Sequence, residues 1–160
     1  MKQRNMASVY LMCDNKFLLL KRQGSRVVND VWIGSAGGHF EQNELNDAET
    51  CALRELEEEL GLTVGDISNL QLRYITLRHT EDEIRVNYYF FANLENHDKE
   101  LYSNEGKLAW FEVTEVRDLE MPFTAGFVMN HYINIGRYDN TIYAGVADGR
   151  AVVFTAMPKF

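Results

Sequence analysis

The chain has 160 residues, 46% hydrophobic and 12% aromatic, which fits one domain, 1–160, with an ample core. A formal net charge of −8 argues against general attraction to nucleic acid or an anionic membrane, and no apolar stretch is long enough to span a bilayer as a helix. The two cysteines, Cys13 and Cys51, have neither CxxC spacing nor a neighbouring histidine. They read as buried free thiols, for which reducing, cytoplasmic surroundings are expected.

Residues 5–13, NMASVYLMC, and 16–22, KFLLLKR, are apolar runs separated by Asp14-Asn15, the pattern of a β-hairpin. Asp14, Asn15 and Lys16 interrupt the apolar run before a signal-peptide core could form. The second run ends in Lys21-Arg22, with Arg26 close behind, and taken alone these read as ordinary surface charge. Residues 27–36, VVNDVWIGSA, lead into a glycine pair. Trp32 within them is a core plug or a stacking surface for a base, the core being the simpler reading because a buried Trp removes so much apolar area from water.

From Gly37 to Leu62 the chain reads GGHFEQNELNDAETCALRELEEELGL. Gly37-Gly38 offers backbone conformations closed to other residues and exposes carbonyls at close range. The second half is a helix that stops at Gly61. Glu55, Glu58 and Glu59 fall within an arc of roughly 100°, so three carboxylates converge on one face. Leu53, Leu56 and Leu60 occupy a neighbouring arc of roughly 60° that faces a core, and Glu57 points to solvent. Like charges at this spacing repel by a few tenths of a kcal/mol per pair. Only Arg54 is near enough along the helix to offset them. A divalent cation would compensate, since hard cations such as Mg²⁺ take carboxylate oxygens and share phosphate oxygens with a substrate. A Glu-rich helix alone is more often a solvated surface helix. The glycine pair and the isolated Glu44 set this one apart.

The segment resembles the signature of the Nudix hydrolases: Gly, five residues, Glu, seven residues, then Arg-Glu-aliphatic-x-Glu-Glu-x-Gly-aliphatic. Gly38, Glu44, Arg54, Glu55, Leu56, Glu58, Glu59, Gly61 and Leu62 all match. One departure stands out. Nine residues, Leu45 to Leu53, lie where the family has seven. Inside a helix two extra residues would turn it by roughly 200°, so they are expected before it. Asn46 or Asp47 is a good N-cap there, and Asn46 with Glu49 makes a capping-box-like pair.

The resemblance implies an α/β (α+β) fold, a MutT-like α/β/α sandwich with a mixed β-sheet and a loop-helix-loop, over roughly residues 5–135. It implies hydrolysis of a nucleoside diphosphate linked to another moiety, by water attack at phosphorus, with Mg²⁺ or Mn²⁺ as cofactor. By position, Glu58 and Glu59 become primary metal ligands, Glu55 a further ligand or the base, and a carbonyl of Gly37 or Gly38 completes the shell. Arg54 then orients the glutamates through Glu44. Arg22 gains an alternative role as a contact to substrate phosphate.

Beyond the signature, Leu62 to Gly65 is a turn, and residues 70–79 and 84–93 are strands about a polar break, Thr80 to Glu83. The second is apolar enough for the middle of a sheet. His79 and His97 lack partner spacing and read as surface residues. Residues 95–105 form a loop before the strand 107–113. Glu105 there is a solvated loop glutamate or, as the resemblance implies, an added metal ligand or general base. Glu115 to Glu120 is a polar link. Thr124 is expected to cap a helix reaching about Ile135, with Phe127, His131 and Ile135 along one stripe and His131 at the core edge. Residues 141–146 and 151–156 flank Asp148-Gly149 as a closing hairpin, within an extension over 139–157 that covers the sheet, joins a homodimer or tunes specificity.

The expected substrate is a small nucleotide: a nucleoside triphosphate, oxidised purine forms included, or alternatively ADP-ribose or another nucleotide sugar. Ala125 and Gly126 after Met121-Pro122 offer no amide of the kind that reads the base in some relatives, while Tyr88, Tyr89 and Phe123 are candidates to stack on one. A binding module without catalysis would be expected to lose signature carboxylates. A purely structural acidic domain would show no metal-dependent stabilisation.

Overall fold

The computed structural model describes residues 1–23, 30–96 and 98–160. Arg26, the start of the 27–36 run and His97 lie outside the described residues. The first hairpin forms as expected: β1 (Lys2–Cys13) turns at Asp14, in a left-handed conformation (φ 53°), and pairs antiparallel with β2 (Lys16–Arg22). Then follow β3 (Trp32–Ile33), β4 (Ala36–His39), α1 (Ala48–Leu60), β5 (Ile67–His79), β6 (Glu83–Leu94), β7 (Gly106–Glu112), the one-turn α2 (Val113–Val116), α3 (Phe123–Asn134), β8 (Ile142–Ala147) and β9 (Val152–Met157).

Among the described residues these strands make one mixed sheet in the order β3-β2-β1-β6-β5-β8-β9, with β4 on β1 and β7 on β2. β1 with β6, and β5 with β8, run parallel; the other pairs are antiparallel. Period-2 alternation sends the side chains of each strand to opposite faces. One face carries Ala7, Val9, Leu11, Phe90, Ala92 and Leu94 against Cys51, Ala52, Leu56 and Leu60 of α1. The other carries Tyr10, Tyr74, Tyr89 and Phe91 against Val128, Met129, Tyr132 and Ile133 of α3. A helix on each face of a mixed sheet is the expected sandwich.

Several local expectations are corrected. Asp47 is the N-cap of α1, accepting from the Thr50 amide at 3.1 Å, and Asn46 plays no part in it. Residue Thr124 lies inside α3, whose N-cap position is Pro122, because the fixed proline φ already sets the chain for entry. The buried stripe of α3 is Ala125, Val128, Met129, Tyr132 and Ile133; Ile135 is half exposed. His131 does sit at the core edge, bonded through Nδ1 to the Tyr74 hydroxyl at 2.8 Å. Cys51 is fully buried whereas Cys13, next to the hairpin turn, is only half buried. The closing hairpin extends the sheet at the β5 edge and covers neither face. Trp32 packs edge-on to Phe111 at 4.7 Å, on the core side, and lines no part of the cavity described below. No helix among the described residues is long and apolar enough to cross a membrane.

Candidate active site

The glycine pair is placed by strand pairing: Gly37 lies opposite Ser8 and Gly38 opposite Ala7 in β4/β1. Neither has positive φ; of the described glycines only Gly61 and Gly149 do. Their requirement is close approach, not an unusual backbone. A Cβ on Gly37 would meet the Ala7 carbonyl at 2.6 Å, and one on Gly38 would fall on the Glu55 carboxylate. Gly61 supplies the left-handed stop of α1 (φ 67°), its amide bonding back to the Glu57 carbonyl.

A 3₁₀ turn, Gln42–Glu44, is followed after Leu45 and Asn46 by the Asp47 cap of α1. Glu44 stays within reach of Arg54 despite the two extra residues. It is buried (1% exposed) and takes two bonds from Arg54, Nε to Oε1 at 2.5 Å and Nη2 to Oε2 at 3.0 Å, plus the Glu41 amide at 2.9 Å. Arg54 hydrogen bonding holds the Glu44 carboxyl down at about 2. The same guanidinium reaches Glu55 at 2.8 Å, Glu58 at 3.0 Å and the His39 carbonyl at 3.0 Å. One arginine thus ties four groups, which is the fork geometry of guanidinium put to use.

Glu55, Glu58 and Glu59 share a helix face, but their carboxylates separate. Glu55 and Glu58 turn to Arg54, while Glu59 accepts from the Gly37 amide at 3.1 Å. Burial pushes Glu59 up to about 7, and burial raises Glu55 as well. The physical reason for the separation is that Arg54 is the cation within reach. Among the described residues no three acidic, His or Cys side chains close on a single point. The donor set is nonetheless hard carboxylate oxygen, and a half-buried carboxylate at Glu59 bonded by an amide rather than a cation suits a divalent ion of the Mg²⁺ or Mn²⁺ kind. Glu55, Glu58 and Glu59 would hold it.

A cavity of about 300 Å³ opens on the α3 face of the sheet. Gly37, Gly38, Glu59, Arg22 and Glu105 border it on one side, Ser8, Thr76, Asn87 and Tyr89 on its floor, and Pro122, Thr124 and Ala125 where α3 begins. Arg22 and Glu105 are brought together by β2/β7 pairing and lie 3.7 Å apart. Glu55 and Glu58 do not border the cavity. Tyr88 faces the opposite side, against Phe40, and Phe123 lies under Arg78, so of the three stacking candidates only Tyr89 reaches the cavity, as buried floor. His79 is exposed at the end of β5.

The floor was missed from sequence. Its signal was present: Thr76 and Arg78 on β5, and Arg85 and Asn87 on β6, each stand two residues apart and so share a face of their strand. An amide does reach the cavity, from Asn87 on β6 and not from the segment after Pro122.

A family model described as NUDIX domain matches residues 2–130. No curated protein matches the chain. Among solved structures, a MutT protein from Bacillus halodurans is similar over 98% of this chain and 99% of its own, at 21% identity and TM-score 0.70. A C. elegans Ap4A hydrolase, solved as a binary complex, covers 87% and 100% at 15% identity and TM-score 0.64. A MutT Nudix hydrolase from Burkholderia pseudomallei covers 84% and 98% at 20% identity and TM-score 0.59. At these identities the likeness is one of fold.

Proposed function

The chain belongs to the Nudix family of hydrolases, which act on pyrophosphate bonds, and from that premise we propose that it cleaves a small nucleotide in a Mg²⁺- or Mn²⁺-dependent reaction, a nucleoside triphosphate being the first candidate. The observation that carries this reading is the 300 Å³ cavity with Glu59, Glu105 and Arg22 on its border, a volume suited to one nucleoside-sized moiety.

Arg22 meets a phosphate oxygen, and Arg54 holds Glu55 and Glu58 in place from its anchor on Glu44. The Gly37 amide fixes Glu59. Glu105 or Glu55 takes the proton of the attacking water. A divalent ion, when bound, supplies charge neutralisation and a more acidic water. Every signature carboxylate is present, which favours catalysis over a binding module.

The test is release of phosphate or pyrophosphate from a panel of nucleoside triphosphates, oxidised purine forms, ADP-ribose and nucleotide sugars with Mg²⁺ or Mn²⁺, beside Glu58→Gln. Metal-dependent turnover lost in the variant supports the reading. Turnover of ADP-ribose or a nucleotide sugar alone would replace the substrate, and silence across the panel with metal still raising Tm would favour a binding module.

A further inference from the structure

Arg4, Arg85 and Arg78 occupy a single row across three neighbouring strands. Arg4 stands opposite Arg85 in the parallel β1/β6 pair, and Arg85 opposite Arg78 in the antiparallel β5/β6 pair. Alternation puts Met6, Asn87 and Thr76 in the next row of the same face, and Ser8 with Tyr89 in the row beyond; all five line the cavity. Arg85 and Arg78 line it too, whereas Arg4 stands beside Arg85 outside the lining. The Arg85 and Arg78 part of the row is therefore its outer end.

Like charges directly opposite one another destabilise a sheet, so the row needs compensation. Glu83, on β6, bonds Arg85 at 2.6 Å and lies 3.5 Å from Arg4. Glu81 and Asp82, in the turn beyond, make no ion pair with the three guanidinium groups among the described residues. Arg78 has no carboxylate partner among the described residues; its guanidinium lies 5.7 Å from the Phe123 ring, which braces it from α3. His39, opposite Met6, adds no negative charge. Three guanidinium groups thus face one carboxylate, in a protein whose net charge is −8.

We propose that this row receives a phosphate monoester that the substrate carries in addition to its pyrophosphate, so that the favoured compounds are nucleotides with a further phosphate at the end away from Glu59. A phosphate monoester brings a charge of about −1.5 to −2, which matches the surplus, and presents oxygens that a guanidinium fork takes two at a time. The span is suitable. Gly38 pairs with Ala7, three residues from Arg4 along β1, or about 10 Å at roughly 3.3 Å per residue. This assignment rests on the proposed hydrolase reading for what occupies the other end of the cavity.

Matched compounds differing by one ribose phosphate test it: NADP⁺ against NAD⁺, and coenzyme A against dephospho-coenzyme A. Calorimetric affinities in EDTA and, with Mg²⁺, KM and kcat are measured for wild type and for Arg78→Ala/Arg85→Ala. The phosphorylated member should bind about tenfold more tightly in wild type, and less than twofold more tightly in the variant, with affinity for NAD⁺ unchanged within twofold. Relief of the opposed charges should also leave the variant's Tm equal to or above wild type, whereas a merely structural pair would lower it. Equal affinity within each pair, absence of binding included, overturns the assignment, as does a preference that survives the double substitution. Binding with preference but no turnover leaves the assignment standing and counts against the hydrolase reading instead.

Discussion

Arg54 grips Glu44 through both Nε and Nη2 across the start of α1, although two residues more than the family pattern separate them. Only Leu45, Asn46 and the Asp47 cap lie between the 3₁₀ turn and α1, and Glu44 still reaches Arg54. Because Glu44 is buried, replacing it with Gln removes the carboxylate that Arg54 grips twice and leaves Glu55 and Glu58 as its remaining close ion-pair partners. Loss of one partner of a buried pair costs about 3 kcal/mol. Glu44→Gln should lower Tm by roughly 9 °C in a thermal melt, and turnover should fall with it as Arg54 loses its anchor.

The same pair sets an acid limit. Glu44 titrates at about 2 in the folded chain against an ordinary value of 4.5. Its folded value is depressed, so the unfolded state takes up the proton first as pH falls. The stabilisation is complete above pH 4.5 and is lost progressively between 4.5 and 2. Urea midpoints across that window should fall steeply in wild type and less so in Glu44→Gln.

Gly37→Ala and Gly38→Ala should separate two effects. The first forces a methyl onto the Ala7 carbonyl, a backbone atom, and should cost roughly 1–3 kcal/mol of stability. The second displaces the Glu55 carboxylate, which is mobile side chain, and should reduce kcat by tenfold or more with a smaller change in Tm. Equal effects on both readouts in the two variants would count against this division.

Arg22 and Glu105 share one ion pair at the cavity border. Arg22→Glu should raise KM for the hydrolysed nucleotide by tenfold or more with kcat largely kept, as expected of a phosphate contact. Glu105→Gln should act on kcat. A KM for Arg22→Glu equal to wild type would remove its role.

Asp47 is a plain helix cap, exposed and not part of the cavity lining. Asp47→Ala should cost about 1 kcal/mol in chemical denaturation and leave KM unchanged.

The hairpin, the acidic helix with its Gly61 stop, the strands flanking Thr80 and the closing hairpin were all legible, because period, turn residues and caps act over a few positions. So were the identities of Glu44, Arg54 and the three helix glutamates, since a spacing pattern lies along the chain. The burial of α3 was misread. Its stripe depends on which residues meet Tyr10 and Phe91 from distant strands, and Phe127, His131 and Ile135 have a helical period without that contact.

The family, the helix that carries the carboxylates and the pair of glycines before it are written along the chain. Why those glycines are needed, the division of the glutamates between Arg54 and the Gly37 amide, and the meeting of Arg22 with Glu105 come from the folded packing. It also decided the cavity floor and its arginine row, assembled from β1, β5 and β6. The reason is register: which residues stand side by side across a sheet is set by the pairing of strands far apart in the chain, and a shift of one residue would turn each of them to the other face.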